Sequence, residues 1–258
     1  RWSLALLLLL PLGGRLLRAH GPVWPYWRRF ALLGLLGVGS YNSLQYLALK
    51  TSTPINVTLV AGGTPVWMMA IGWLWFGQKL SARQLAGAAL SIAGVLLVLC
   101  RGDLAKLLAV RLLPGDLFML LATIVWAMYS WLLTRPKVPE EVRADWSGFL
   151  VAQMLFGLGW SGLFTAAEWS LGSPQIVWGW PLAGALLFVA IGPSIIAYRC
   201  WGVGVHSVGP TIAAFFSNLT PLFAAVMSAV LLGEVPHLYH AAAFALIVGG
   251  IVVSSRRS

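Results

Sequence analysis

The chain has 258 residues, of which 59% are hydrophobic and 9% charged, with a mean hydropathy of +0.85 and a net charge of +10. Soluble domains average roughly 25% charged residues, so this composition excludes a water-soluble fold and indicates a membrane protein. Cations scattered through short loops also argue against a nucleic-acid surface.

In chain order, nine apolar runs reach the helical length of about 20 residues that crosses a bilayer. They are 1–17, 30–49, 54–76, 83–100, 114–134, 146–168, 181–203, 208–232 and 238–255. Membrane β-strands would be shorter and would alternate. The longest clearly polar connector is 135–145, which leaves no room for a soluble domain. The opening Arg1-Trp2-Ser3 followed by Leu4 to Leu10 also fits a secretory signal. The arginines that follow, Arg15, Arg18, Arg28 and Arg29, disfavour translocation and favour a span.

The basic residues give an orientation. With the loop after the first span inside, Arg15, Arg18, Arg28, Arg29, Lys79, Arg83, Arg135, Lys137, Arg143, Arg199, Arg256 and Arg257 are cytoplasmic. Only Arg1, Lys50, Arg101, Lys106 and Arg111 fall outside, so the positive-inside rule selects this topology and a cytoplasmic C-terminus.

A stretch occurs twice at a constant offset of 156 residues. Pro54, Thr64-Pro65, Gly77 and Gly94 reappear as Pro210, Thr220-Pro221, Gly233 and Gly250, residue types that set backbone geometry. Four spans separate the two copies, so the second runs opposite to the first and the duplication is inverted. At the same offset the span 114–134 has no partner in the chain. The expected parent therefore has ten spans, five plus five, with the first helix of repeat one missing here and encoded before Arg1. The chain divides into a first repeat at 1–102 and a second at 114–258.

The motifs Gly115-Asp116-Leu117 leading to Trp126-Ala127-Met128-Tyr129, Pro193-Ser194 to Tyr198, and Asn218-Leu219-Thr220-Pro221 to Leu232-Gly233-Glu234 resemble the EamA-like drug/metabolite transporters. The resemblance covers nearly the whole chain. It implies an all-α polytopic membrane protein of two inverted five-helix repeats around a central cavity. It also implies export of metabolites, amino acids or drugs across a plasma membrane, the inner membrane in a prokaryote. The first copy departs from the pattern, reading Phe76-Gly77-Gln78 where the second ends in Leu-Gly-Glu. Arg1 stands near an arginine common at the start of the family's second helix.

Candidate substrate-binding residues follow from stripes at helical spacing. Thr58, Gly62, Pro65, Met69 and Gly72 recur on one span, and Ala214, Asn218, Pro221, Ala225 and Ser228 on its mate. Thr58, Gly62, Asn218 and Ser228 are expected to line a central site, with Gln45, Trp126, Tyr129 and Trp201 closing its sides. Pro65 and Pro221 are hinge candidates, since interrupted helices of inverted repeats meet at midplane sites. Close packing of small residues is the competing explanation, and it is the usual one for Ala89/Ala93 and Ala245/Gly249. Gln153 is either a path residue or a partner to a neighbouring helix. Trp24, Trp27, Trp169, Trp178 and Trp180 suit interfacial belts.

The remaining polar residues have plainer explanations. Lys50 and Arg199 suit snorkelling, and Glu168 and Glu234 sit at outer span ends. His237 and His240, spaced to share a metal, suit a solvated helix start better, so neither a metal nor a cofactor is expected. Cys100 and Cys200 fall on opposite sides of the bilayer, which disfavours a disulfide. No H-E-x-x-H, G-x-S-x-G or acid to pair with Asp116 supports an enzyme. The expected partners are the bilayer and a small organic solute. The expected activity is alternating-access transport, and a passive pore for small solutes is the alternative.

Overall fold

The computed structural model describes residues 1–103, 111–135, 137–172, 176, 178–233 and 237–255. The expectations attached to Lys106, Glu234, Arg256, Arg257 and the C-terminus lie outside the described residues. All regular structure among the described residues is helical. Seven of these helices are long and apolar enough to cross a membrane: Pro54–Phe76, Ala82–Leu99, Pro114–Thr134, Trp146–Ser170, Trp180–Val208, Pro210–Leu231 and Leu238–Ser255. The first expected span is a shorter apolar helix, Trp2–Leu17. The second is helical over residues 27–51, but Arg28, Arg29, Tyr41, Asn42 and Gln45 dilute its hydropathy, and it is not among the seven.

The chain forms two compact units, each drawn from both 1–102 and 114–258. Unit 1 comprises Arg1–Ser43 and Leu132–Ser207. It contains α1 (Trp2–Gly13), α2 (Trp27–Leu33), the start of α3 (Tyr41–Thr51), α8 (Glu140–Ala144), α9 (Trp146–Leu171), α10 (Trp180–Val189) and most of α11 (Ala197–Val208). Between α2 and α3 the rod is π-helical over Gly34–Ser40, and between α10 and α11 over Ala190–Ile196. These two π segments stand at the 156-residue offset along their whole length, and each packs on one of the helices α9 and α1. Glycines permit the contact, since a Cβ on Gly34 would lie 2.6 Å from the backbone nitrogen of Gly157. Val23, Phe30, Val142 and Ala152 form an apolar cluster in this unit.

Unit 2 comprises Leu44–Trp131 and Val208–Ser258. Its helices are α4 (Pro54–Gly62), α5 (Thr64–Phe76), α6 (Ala82–Leu99), α7 (Pro114–Thr134, to Trp131), α12 (Pro210–Ser217), α13 (Thr220–Leu232) and α14 (Leu238–Ser255). Gly77 and Gly233, equivalent by the offset, both end their helices in the left-handed conformation, at φ +69° and +71°. That is the C-terminal stop that glycine adopts without strain, so the repeated Gly marks a helix end. The capping box of Ser81 and Gln84 then starts α6.

Helices α6 and α14 pack along glycine. A Cβ on Gly87 would lie 2.6 Å from the Gly250 carbonyl oxygen, and one on Gly94 would lie 2.9 Å from that of Ala243. As the position on α6 advances, its partner on α14 recedes, so the two helices run antiparallel. Their core gathers Ala88, Val95, Ala243, Ile247 and Ile251 with Met69, Phe215 and Leu222. This seam corrects the expectation for Ala89/Ala93 and Ala245/Gly249: Ala89, Ala93 and Ala245 are exposed, and nothing approaches Gly249. Four-residue spacing left the packing face undetermined, and close backbone approach selects the glycine row.

Candidate functional site

In unit 2 the two long spans 54–76 and 210–232 are each broken near their middle. The first break falls at Gly63, between α4 and α5, and the second at Asn218-Leu219, between α12 and α13. Pro65 and Pro221 sit in the first turn of the new helix, where a missing N–H costs no intrahelical bond. Each proline still denies a donor to the carbonyl four residues back. The preceding threonine supplies it: Thr64 Oγ1 donates to Ala61 O at 2.6 Å and Thr220 Oγ1 to Ser217 O at 2.7 Å. In a bilayer, where backbone groups must be satisfied internally, the Thr-Pro pair mends its own break.

Asn218 ties the second break to the first. It is buried, and its amide donates to Gly62 O at 3.2 Å and to Ser91 Oγ at 2.8 Å. Gly62 and Asn218 are equivalent positions at the offset, and they touch. Gly62 itself packs against α6, where a Cβ would lie 3.1 Å from Val95 Cγ1. Met69 is buried, and Gly72 accommodates the Trp131 ring, to which a Cβ would come within 2.4 Å. Trp131 donates its indole N–H to Met68 O at 2.8 Å and stacks on Phe76 at 5.1 Å.

The other expected lining residues of unit 2 are placed individually. Thr58 is half-buried, with its hydroxyl turned back onto Pro54 O at 2.7 Å. Gln45 and Ser228 are half-buried. Trp126 is half-buried and Tyr129 buried, their rings 5.1 Å apart. Of the eight expected residues, only Trp201, also half-buried, belongs to unit 1. The structure joins Gly62 to Asn218 and Trp126 to Tyr129 directly.

A second polar cluster of unit 2 surrounds Asp116 at the start of α7. The buried carboxylate accepts from the Ser52 hydroxyl, from Asn56 Nδ2 at 2.9 Å and from Leu113 N–H at 2.8 Å. Asn56 also donates to Arg111 O at 2.9 Å. A Cβ on Gly115 would lie 2.6 Å from Ala48 O, which lets α7 approach the end of α3 closely enough for these bonds. Asp116 thus has amide, hydroxyl and backbone donors in place of a second acid.

Unit 1 has its own polar interior, at the π segments. Asn42 Nδ2 donates to Gly37 O and Val38 O, both at 3.1 Å, and approaches its offset equivalent Tyr198 at 3.3 Å from the hydroxyl. The Tyr198 hydroxyl donates to Gly37 O. In the second π segment Ser194 Oγ donates to Val189 O at 2.7 Å and accepts from Arg1 Nε at 2.8 Å. These side chains serve carbonyls displaced by π-helical winding, a distortion that often accompanies function. Arg29 donates to Leu132 O and Arg135 O, both at 2.5 Å, at the end of α7. Gln153 bonds Phe149 O within its own helix at 3.4 Å.

Lys50 and His206 are exposed, and the Arg199 guanidinium lies 4.9 Å over the Trp146 ring. Trp24, Trp27, Trp169, Trp178 and Trp180 are all exposed. The His237 N–H donates to His240 Nδ1 at 3.0 Å as α14 begins. Thr64, Thr220, Ser91, Ser52 and Asn56 were missed as functional candidates by sequence reasoning. The Thr-Pro dipeptides were the available signal, because the freed carbonyl lies within reach of the threonine.

The chain matches the model of the EamA-like transporter family over residues 1–100 and 113–256, and it belongs to that family. It is a multi-pass membrane protein and a small-molecule transporter. It is 28% identical to an aromatic amino acid exporter, YddG, of Ancylobacter novellus, over 90% of this chain and 76% of that one. An uncharacterized transporter of Bacillus subtilis, YyaM, is 25% identical over 88% of this chain and 72% of its own. A Salmonella typhimurium protein named as a probable amino-acid metabolite efflux pump is 28% identical, covering 85% and 75%. One crystal structure superposes with a TM-score of 0.73 at 25% identity, covering 98% of this chain and 85% of that one.

Proposed function

We propose that this transporter exports an amino-acid-like solute by alternating access, with its substrate site at the paired breaks of spans 54–76 and 210–232. The observation that carries the reading is the repetition of one break at the 156-residue offset. The same Thr-Pro pair, the same mended carbonyl and the same left-handed glycine stop occur in both spans. Inverted repeats support it further. The equivalent helices α6 and α14 run antiparallel, and their contacts are reciprocal, Gly87 to Gly250 matching Ala243 to Gly94. Such self-complementary contacts are those of a two-fold axis, and an axis relating oppositely directed copies lies in the membrane plane.

In this reading the repeats 1–102 and 114–258 exchange conformations, and Pro65 and Pro221 are the hinges. Thr58, Gly62, Asn218 and Ser228 line the site, with Gln45, Trp126 and Tyr129 around the solute. The amino-acid character is taken from the names of two relatives. Counterflow in proteoliposomes tests the mechanism. A carrier loaded with unlabelled solute accumulates labelled solute transiently above equilibrium and saturates. Linear, non-saturating equilibration without an overshoot would identify a passive pore instead.

A further inference from the structure

The equivalent helices α6 and α14 of unit 2 begin with the same bond made by different chemistry. At the 156-residue offset Ser81 and Gln84, which open α6, correspond to His237 and His240, which open α14. In α6 the Ser81 N–H donates to Gln84 Oε1 at 3.2 Å, and in α14 the His237 N–H donates to His240 Nδ1 at 3.0 Å. Each of these side chains reaches back to a backbone donor that helical winding leaves unpaired. The acceptors differ in one respect. The amide oxygen of Gln does not titrate, whereas an imidazole nitrogen accepts only while it carries no proton.

His240 is half-buried, and its ring lies 4.1 Å from that of Tyr239 and 6.1 Å from that of His237, which is exposed. Helix α14 packs against α6, α12 and α13. Neither α12 nor α13 carries a titratable side chain, and α6 has only Arg83, at its start, far from the start of its antiparallel partner. The turn that closes α6 adds Cys100, which is buried, and the exposed, oppositely charged Arg101 and Asp103. Gly102 in that turn meets the first turn of α14, where a Cβ would lie 3.4 Å from Tyr239 Cβ. A proton on His240 therefore removes an acceptor and sets a positive charge at the N-terminus of an 18-residue helix, the end that disfavours cations.

We propose that the N-terminal cap of α14 is an acid-sensitive latch. Protonation of His240 breaks its bond to the His237 N–H and loosens the first turn of α14 where it rests on the end of α6, while the Gln84 cap of α6 holds. The sign follows from the acceptor. The cap needs neutral imidazole, so it is present above the range in which imidazoles titrate, about pH 6.5 in peptides, and is lost as the pH falls through it. Because α6 and α14 are antiparallel, their caps lie at opposite ends of the pair, and only one end responds to acid. The latch belongs to unit 2 alone and does not depend on the carrier reading.

Hydrogen–deuterium exchange of the full chain in detergent tests it. Protection of the amides of residues 237–242 is compared with that of the equivalent residues 81–86 at about pH 8 and about pH 5.5, on either side of the imidazole range, after correction for the intrinsic exchange rate. In the wild type, acid should lower protection at 237–242 about fivefold, the scale of one hydrogen bond, and leave 81–86 unchanged. His240→Gln installs the acceptor that the other repeat uses, so it should abolish the acid response and keep the protection seen at the higher pH. Gln84→His should confer the same acid response on 81–86. Equal protection at the two pH values in the wild type would overturn the latch, as would an acid response that survives in His240→Gln. Should His240→Gln fail to fold, the wild-type comparison and Gln84→His decide, and an unresponsive 81–86 in the latter would count against the latch.

Discussion

Thr64 shows how much one hydroxyl can settle. Because Pro65 leaves Ala61 O without its helical donor and Thr64 Oγ1 replaces it, Thr64→Val removes the replacement while keeping the shape. The half-buried carbonyl then loses that hydrogen bond, at a cost of about 1 kcal/mol, which a lowered melting temperature of detergent-purified protein would record. Asn218 was expected to orient a substrate, yet its amide protons serve Gly62 O and Ser91 Oγ. Asn218→Ala should therefore lower the melting temperature as well as transport, and an unchanged melting temperature would show that these bonds do not matter. Bulk at Gly62 has a similar double meaning, since the residue faces Val95. Gly62→Trp therefore needs a folding assay beside the transport assay.

Among the elements, the α6–α14 pair gives the clearest discrimination. The glycine row brings backbones together, and a Cβ at Gly87 would lie 2.6 Å from a carbonyl oxygen. Gly87→Val should separate the helices and destabilise the protein by about 1–3 kcal/mol. Ala89→Val, on an exposed face of the same helix, should leave it unchanged. Melting curves of the two variants measured together decide which stripe packs. The periodicity of small residues was legible in both helices. The face was not, because rows two positions apart on a helix of Ala and Gly look alike until the partner is in place.

For the whole molecule, the orientation read from the basic residues has an outcome that packing cannot mimic. If the positive-inside rule puts the C-terminus in the cytoplasm, an impermeant thiol reagent applied outside intact cells should fail to label Ser258→Cys, and lysis should expose it. The experiment needs Cys200→Ser, because Cys200 is exposed, whereas Cys100 is buried. Labelling from outside would reverse the orientation proposed here.

The sequence by itself determined the class of the protein and marked the two Thr-Pro pairs beside which the long spans of unit 2 break. Hydropathy decides burial in lipid over each run separately, and Pro, Thr-Pro and Gly act on their own few residues of backbone. The duplication was readable for the same reason, since Thr64-Pro65 and Thr220-Pro221 carry their geometry with them. Only the tertiary structure decided which polar groups meet. Asp116 pairs with Ser52 and Asn56, Asn42 with Tyr198, and Arg1 with Ser194, contacts between helices far apart along the chain. A hydrogen bond needs its partners within about 3 Å. Whether two side chains come that close depends on helix rotation and on how near the glycines let backbones approach, and neither quantity is a property of one segment.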